Sequence, residues 1–200
     1  VQIDQPKFQM QGALLAGDAA RGRALLQAPE ARPVLLITGG SLGADVLNRA
    51  VREALDALLE TFVVVHVCGP GKDSGYRAPG YHPFEFVSES WGDLLAAADV
   101  VVSRAGANSL FELLALGKAN LLVPLSPRVS RGDQVENAEY ARSHGFSRVL
   151  DETELTGVRL LAEVLETYRQ LPELQRRLAC FRPPDAAAAI VAALESAAAG

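Results

Sequence analysis

Six short runs dense in Val, Ile and Leu alternate along this 200-residue chain with longer segments whose apolar residues return every three to four positions. That alternation constrains the fold more than any other feature of the sequence. Short continuous apolar runs suit strands buried on both faces, and such strands belong to parallel sheets covered by helices. The runs fall at Val34–Thr38, Phe62–Cys68, Phe84–Val87, Val100–Ser103, Asn120–Pro124 and Ser147–Leu150. Between the first two, Ala44–Glu60 places Val46, Leu47, Ala50, Val51, Ala54, Leu55 and Leu58 on one helical stripe. Ser90–Ala98, Ser109–Leu116, Asp133–His144 and Glu154–Gln170 also read as helices. Alternating strands and helices give βαβ units with right-handed crossovers. The expected fold is therefore α/β, a doubly wound, Rossmann-like parallel sheet of six strands.

The two ends depart from this pattern. Asp18 is placed to cap a helix over Ala19–Leu26 ahead of the first strand. After Gln170 no further strand follows: Leu171–Cys180 reads as helix, Pro183-Pro184 breaks it, and Asp185–Ala198 forms an Ala-rich helix, apolar nearly all round and so expected to pack on something. The loop Gly69–Gly80 is the expected flexible segment. Residues 1–17 read as a linker, and 18–200 as one domain of a length that supports a full core.

Charge and composition exclude several functions. A net charge of −5 disfavours nucleic acid, which asks for a basic face. Cys68 and Cys180 are far apart, and His66, His82 and His144 show no ligand spacing, so neither a disulfide framework nor a metal site is expected. Free thiols make a reducing compartment the default. No apolar run reaches the roughly 18–20 residues that span a bilayer, and Val1–Met10 lacks the pattern of a signal peptide. The expectation is a soluble protein, with peripheral membrane contact left open.

Three segments could carry chemistry. Thr38-Gly39-Gly40-Ser41-Leu42-Gly43-Ala44 follows the first strand and opens the first long helix. Glycines there let the backbone approach an anion held by helix N–H groups, or they serve only a tight turn. The spacing is neither G-x-G-x-x-G nor a P-loop. Ser103-Arg104-Ala105-Gly106-Ala107-Asn108-Ser109 repeats the arrangement after the fourth run, with Glu112 one turn into the helix. Glu112 suits the two hydroxyls of a ribose, or it closes a capping box with Ser109. Ser130-Arg131-Gly132-Asp133-Gln134-Val135-Glu136-Asn137 gathers polar side chains at a third helix start. They could read sugar hydroxyls, or Ser130 or Asp133 could simply cap the helix. Arg104 could meet a phosphate or form an ion pair with Asp99 or Asp93. Trp91, His66 and His82 read as core, lid or strand-end residues. No nucleophile–base pair stands out.

Taken jointly, Gly39–Ala44, the stretch Ala98–Ala107 with Glu112, and Asp133-Gln134-x-x-Asn137-Ala138 resemble the MurG-like glycosyltransferases, from about Asp18 to Ala198. These transferases move N-acetylglucosamine from UDP onto a lipid-linked muramyl-pentapeptide in peptidoglycan synthesis. The resemblance implies the C-terminal, donor-binding half of a two-domain GT-B enzyme, inactive alone. An N-terminal acceptor-binding domain, or a separate subunit, would carry the lipid-linked acceptor and the general base. It places the diphosphate beside Gly39, Gly40, Ser41 and Gly43, with Asn108 and Ser109 where the second turn touches the nucleotide and phosphates. It sets uracil against the Val87 backbone, ribose on Glu112, and N-acetylglucosamine near Gln134 and Asp133, with Arg104, Gly106, Ala107 and Asn137 counted in the same donor site. It implies inverting transfer, no cofactor or tightly bound metal (Mg²⁺ being compatible with the diphosphate), and a cytoplasmic location at the inner face of the membrane. Two departures stand out: Asp133 replaces the Gln or His common in the family, and Val1–Leu15 lacks the family's linker arginine. A non-catalytic nucleotide-sugar module and a UDP-sugar 2-epimerase share the architecture; the glycine turn and the Asp-Gln-x-x-Asn-Ala segment favour the transferase.

Overall fold

The computed structural model describes residues 17–40, 43–126 and 132–181. The elements in chain order are α1 (Ala19–Leu25), β1 (Val34–Thr38), α2 (Asp45–Thr61), β2 (Val63–Val67), β3 (Tyr81–Phe84), α3 (Trp91–Ala97), β4 (Val100–Ser103), α4 (Ala107–Ala115), β5 (Asn120–Leu122), α5 (Asp133–Ser143) and β6 (Arg148–Val149). A single 3₁₀ turn at Glu152–Glu154, α6 (Gly157–Arg169) and α7 (Leu171–Leu178) complete the order. The helix expected at Asp185–Ala198 and the linker at 1–16 lie outside the described residues.

All six strands are parallel, in the order β3-β2-β1-β4-β5-β6. This is the doubly wound arrangement expected from the alternation of elements. Period-two geometry sends alternate side chains to opposite faces. Leu35, Ile37 and Val64 face α2 and α6, while Val34, Leu36 and Val65 face α1 and α3. A third cluster joins Leu110 and Leu114 of α4 to Leu122, Ala138 and Phe181. Leu35, Leu36, Leu47 and Leu58 are wholly buried; each contributes about 1.5–3 kcal/mol by leaving water. The stripe of α2 is buried as expected from Leu47 to Leu58. Val46 is the exception: it is only partly covered and borders a cleft.

One strand is displaced from its expected place. The third strand occupies Tyr81–Phe84, not Phe84–Val87. Pro83 argues against a strand in sequence, yet β3 is an edge, where a missing N–H costs no ladder bond. Val87 therefore lies beyond the strand, on the way into α3. Asp18 caps α1 as expected, accepting from the Ala20 and Arg21 N–H groups at 2.7 and 3.1 Å. Arg21 then clamps α1 to α3 through Asp93 at 2.9 Å.

The order reverses direction between β1 and β4. In open α/β sheets, ligands bind outside the carboxyl ends of the strands at such a switch point. Thr38 pairs with Ser103 across these two strands, so the turns that follow them begin side by side.

Candidate functional site

The first turn leaves β1 through Gly39 and Gly40 and enters α2 through Gly43; Ser41 and Leu42 lie outside the described residues. The Gly43 N–H donates to the Gly40 carbonyl at 3.0 Å, and the Gly40 N–H to Thr38 Oγ1 at 3.2 Å. Gly40 and Gly43 sit at φ +85° and +67°, where L side chains are strained. Gly43 is also pressed onto the end of β2. A Cβ there would stand 1.9 Å from the Cys68 carbonyl oxygen. Glycine at 43 is thus dictated by packing as well as by dihedral.

The second turn ends in Gly106, the residue that starts α4. This overturns the capping-box alternative. The helix begins two residues earlier than the pattern suggested, so Ser109 lies in its first turn and is not its cap. Glu112 lies beyond the reach of such a box. Among the described residues neither α2 nor α4 has a side-chain cap, whereas Asp18 and Thr156 cap α1 and α6. The first N–H groups of a helix have no intrahelical partner, and with the dipole they favour an anion. Two such uncapped N-termini open onto the same edge of the sheet.

A cleft of about 760 Å³ runs over Gly39, Gly40, Gly43 and Gly106 toward Arg104 and Gln134. A second hollow of about 470 Å³ lies between Thr38, Phe86, Val87, Trp91 and Glu112. Gly40, Asn108 and Ser109 border both, so the two form one trough across the switch point. Ala107 and Asn108 are exposed on its rim. Glu112 is half-buried in the smaller hollow. Burial raises its carboxyl above the usual range, and among the described residues nothing donates a hydrogen bond to it. A carboxylate short of donors beside a hollow is suited to a hydroxyl-bearing ligand.

Arg104 has another partner than the sequence suggested. Asp93 is taken by Arg21, and Asp99 by Arg23 and the Val34 N–H. Arg104 instead bonds Glu152 at 2.5 Å and the Val123 carbonyl at 3.0 Å. Glu152 also accepts the Ser126 N–H at 3.1 Å. The pair is nearly buried, with side chains 8% and 13% exposed, and it floors the larger cleft.

The third helix start follows Gly132, which precedes α5 at φ +90° with no side-chain cap among the described residues. Asp133 is the first residue inside α5 and exposed, so it does not cap the helix; Ser130 lies outside the described residues. Gln134 borders the cleft and accepts the Leu125 N–H at 3.1 Å. Asn137 turns inward and donates to the Ala105 carbonyl at 3.0 Å. The structure thus brings Gln134 to the trough and ties Asn137 beneath the second turn.

A buried polar chain supports the first turn from below. His66 Nδ1 meets Tyr81 Oη and His66 Nε2 meets Asn48 Oδ1, each at 3.0 Å, while Asn48 Nδ2 donates to the Cys68 carbonyl at 2.9 Å. Burial, with a smaller push from Arg52, lowers the His66 imidazolium to about 4. His66 is neutral in the fold and protonates near 6.5 once unfolded. Its contribution is complete above pH 6.5 and fades as pH falls toward about 4, a loss on the order of 3 kcal/mol. Burial acts in the same direction on His82. Chemical denaturation at stepped pH, with NMR titration of the His66 ring, checks this. A ring that titrates near 6.5 in the folded chain would refute it.

Comparison with known proteins now has geometry to explain. Residues 34–190 match the profile of the glycosyltransferase family 28 C-terminal domain. The chain belongs to glycosyltransferase family 28. Among curated relatives of this family 28 chain, one from Legionella pneumophila (strain Paris) is 40% identical over 198 residues, covering 96% of the chain and 54% of the relative. Another, from Lachnospira eligens, is 49% identical over 157 residues, covering 78% and 44%. Both are named UDP-N-acetylglucosamine--N-acetylmuramyl-(pentapeptide) pyrophosphoryl-undecaprenol N-acetylglucosamine transferase. The chain spans about half the length of these relatives. Among solved structures, MurG of Acinetobacter baumannii superposes with TM-score 0.69 at 25% identity, over 92% of this chain and 55% of that one. The glycotransferase of kitacinnamycin superposes with TM-score 0.63 at 26% identity, over 76% and 38%.

The family 28 trough also contains residues that the sequence did not single out. Asp45, Val46, Lys72, Leu125 and Glu152 border the larger cleft, and Glu85 and Phe86 the smaller. Phe86 and Glu85 adjoin Val87 in sequence and were within reach of the pattern. Lys72 and Glu152 arrive from loops after other strands, which no local pattern reports.

Proposed function

We propose that this chain binds UDP-N-acetylglucosamine in the trough and serves as the donor-holding part of an inverting transferase acting on a lipid-linked acceptor in peptidoglycan synthesis. The observation that carries this reading is the meeting of two helix N-termini at the switch point, beside a half-buried carboxylate, with no side-chain cap on the helices and no donor to the carboxylate among the described residues. Backbone N–H groups of both turns suit the diphosphate, Glu112 the ribose, and the smaller hollow near Val87 the uracil. Gln134 and its neighbour Asp133 suit the sugar. The names of the relatives and the family support the same substrate class.

In the proposed reaction an acceptor oxygen bonds to the anomeric carbon as the bond to the diphosphate breaks, its electron pair staying on UDP. The hydroxyl proton goes to a base in the acceptor-binding half. This chain's share is to stabilise charge on the departing diphosphate with preorganised donors. The expected partners are that half and a lipid-linked acceptor at the inner face of the membrane. Among the described residues, no helix is long and apolar enough to cross a membrane.

Calorimetric titration of the chain with UDP, UDP-N-acetylglucosamine and ADP tests the reading. Saturable binding of both uridine ligands with ADP silent is expected; no binding of any ligand would sink it. Glu112→Gln gives a sharper result. Burial of the carboxyl makes its charged form a burden on the fold at neutral pH, relieved as pH falls through its raised value. The neutral amide should raise the melting temperature slightly while weakening UDP by about 1–3 kcal/mol. Unchanged UDP affinity would remove Glu112 from the ribose role.

A further inference from the structure

The loop after β2 brings a cation to the trough that neither the sequence pattern nor the two glycine turns account for. Because β2 is the parallel neighbour of β1, the loop leaving it must hang over the same edge as the first turn. Gly43 lies against the Cys68 carbonyl and the Gly69 Cα, so loop and turn are in direct backbone contact. The loop then folds back at once: the Lys72 N–H donates to the Gly69 carbonyl at 3.1 Å, around Gly71 at φ +69°. Lys72 is delivered to the wall of the larger cleft beside Gly39 and Gly40.

The charges bordering this cleft divide into two pairs of different character. Arg104 and Glu152 are nearly buried and hold each other, the Val123 carbonyl and the Ser126 N–H. That cation is committed to the fold. Lys72 instead meets Asp45 at 3.0 Å, and Asp45 is 81% exposed in the first turn of α2. Lys72 itself is 29% exposed, so the pair is open to water on the Asp45 side, where such a contact contributes little and exchanges partners. Asp45 also occupies the position at the α2 N-terminus that an anionic ligand would favour. The cleft thus carries an anion of its own chain at the helix start, with the Lys72 ammonium bound to it.

We infer that Lys72 is a diphosphate-binding residue, released from Asp45 when the nucleotide enters and held against the phosphate oxygens in its place. The inference rests on the donor reading above and adds to it a cationic arm and an internal competitor. An ammonium on a flexible stem follows charge more than shape. It favours UDP, which carries one more negative charge than the sugar nucleotide, and ignores the nucleoside.

The test uses the 200-residue chain, with UDP, UDP-N-acetylglucosamine and uridine as probes, by calorimetry and by NMR for the weak nucleoside. Lys72→Met is expected to weaken UDP roughly tenfold and UDP-N-acetylglucosamine about threefold, with uridine unchanged. Lys72→Arg should recover most of the loss. Asp45→Asn should tighten UDP by about two- to fivefold, by removing the competitor and its charge. The gain should shrink at high salt. Unchanged UDP affinity in Lys72→Met would overturn the inference, and so would a parallel loss for uridine, which would mean that Lys72 acts through the fold. Failure of the unaltered chain to bind UDP would remove the donor reading and this inference together, whereas uridine and UDP binding that ignore residue 72 would remove this inference alone.

Discussion

Gly43→Ala is expected to lower the stability of the fold by at least about 3 kcal/mol, by adding backbone collision to an unfavourable dihedral. For a domain of this size that is a fall in melting temperature on the order of 10 °C. The atoms that a methyl group would strike are the Cys68 carbonyl oxygen and carbon and the Gly69 Cα, at 1.9, 2.8 and 2.9 Å. None is the free end of a side chain, so relief requires β1's turn to part from β2's end. Binding of an anion by the turn should fall with it. Gly40→Ala is the internal control. Its φ of +85° is equally unfavourable, but among the described residues nothing beyond its own chain neighbours lies within 4 Å of the added carbon. Its cost should be the dihedral alone, about 1–2 kcal/mol. Thermal melts of the two variants side by side check the argument. Equal losses would show that collision with β2 is not what fixes glycine at 43.

Glu152→Ala is expected to cost about 3–5 kcal/mol, because among the described residues it leaves the nearly buried Arg104 guanidinium with the Val123 carbonyl alone. It also removes one hydrogen bond from the Ser126 N–H. Glu152→Gln keeps an acceptor for one of these and should lose about half as much. The double change Arg104→Met with Glu152→Leu removes both charges and should recover part of the loss, since apolar replacement of a buried pair is often neutral. A double-mutant cycle by chemical denaturation measures the coupling. Additive single effects would mean that the two side chains are independently solvated and that the pair does not floor the cleft.

The sequence made the sheet legible because each strand is a short run of β-branched and aliphatic residues and each intervening stripe has helical period. Both are local signals. The glycine turns were legible for the same reason, since Gly39–Gly43 and Ser103–Gly106 each sit at the end of such a run. What escaped was set at a distance. Arg104 finds Glu152, 48 residues on, only because β4 and the turn after β6 end on the same side of the sheet. Ser109 and Glu112 match a capping box by spacing, but the helix starts at Ala107, and only the course of the second turn fixes that start. The third strand was misplaced because proline is read against strands in general, whereas an edge tolerates it. Lys72 lies in a loop rich in Gly and Pro, where sequence reports flexibility and says nothing of what the loop lies over.

The line of polar groups from Tyr81 through His66 and Asn48 to the Cys68 carbonyl also limits how this domain can diverge. Three side chains on three different elements satisfy one another in a region otherwise filled with aliphatic groups. Exchange of His66 for an apolar residue strands both Tyr81 and Asn48, and exchange of either of those strands one His66 ring nitrogen, each stranded group carrying its own penalty. Drift at positions 48, 66 and 81 is therefore expected to be concerted: a lineage either retains the trio or replaces it wholesale, and variants caught part-way should be scarce.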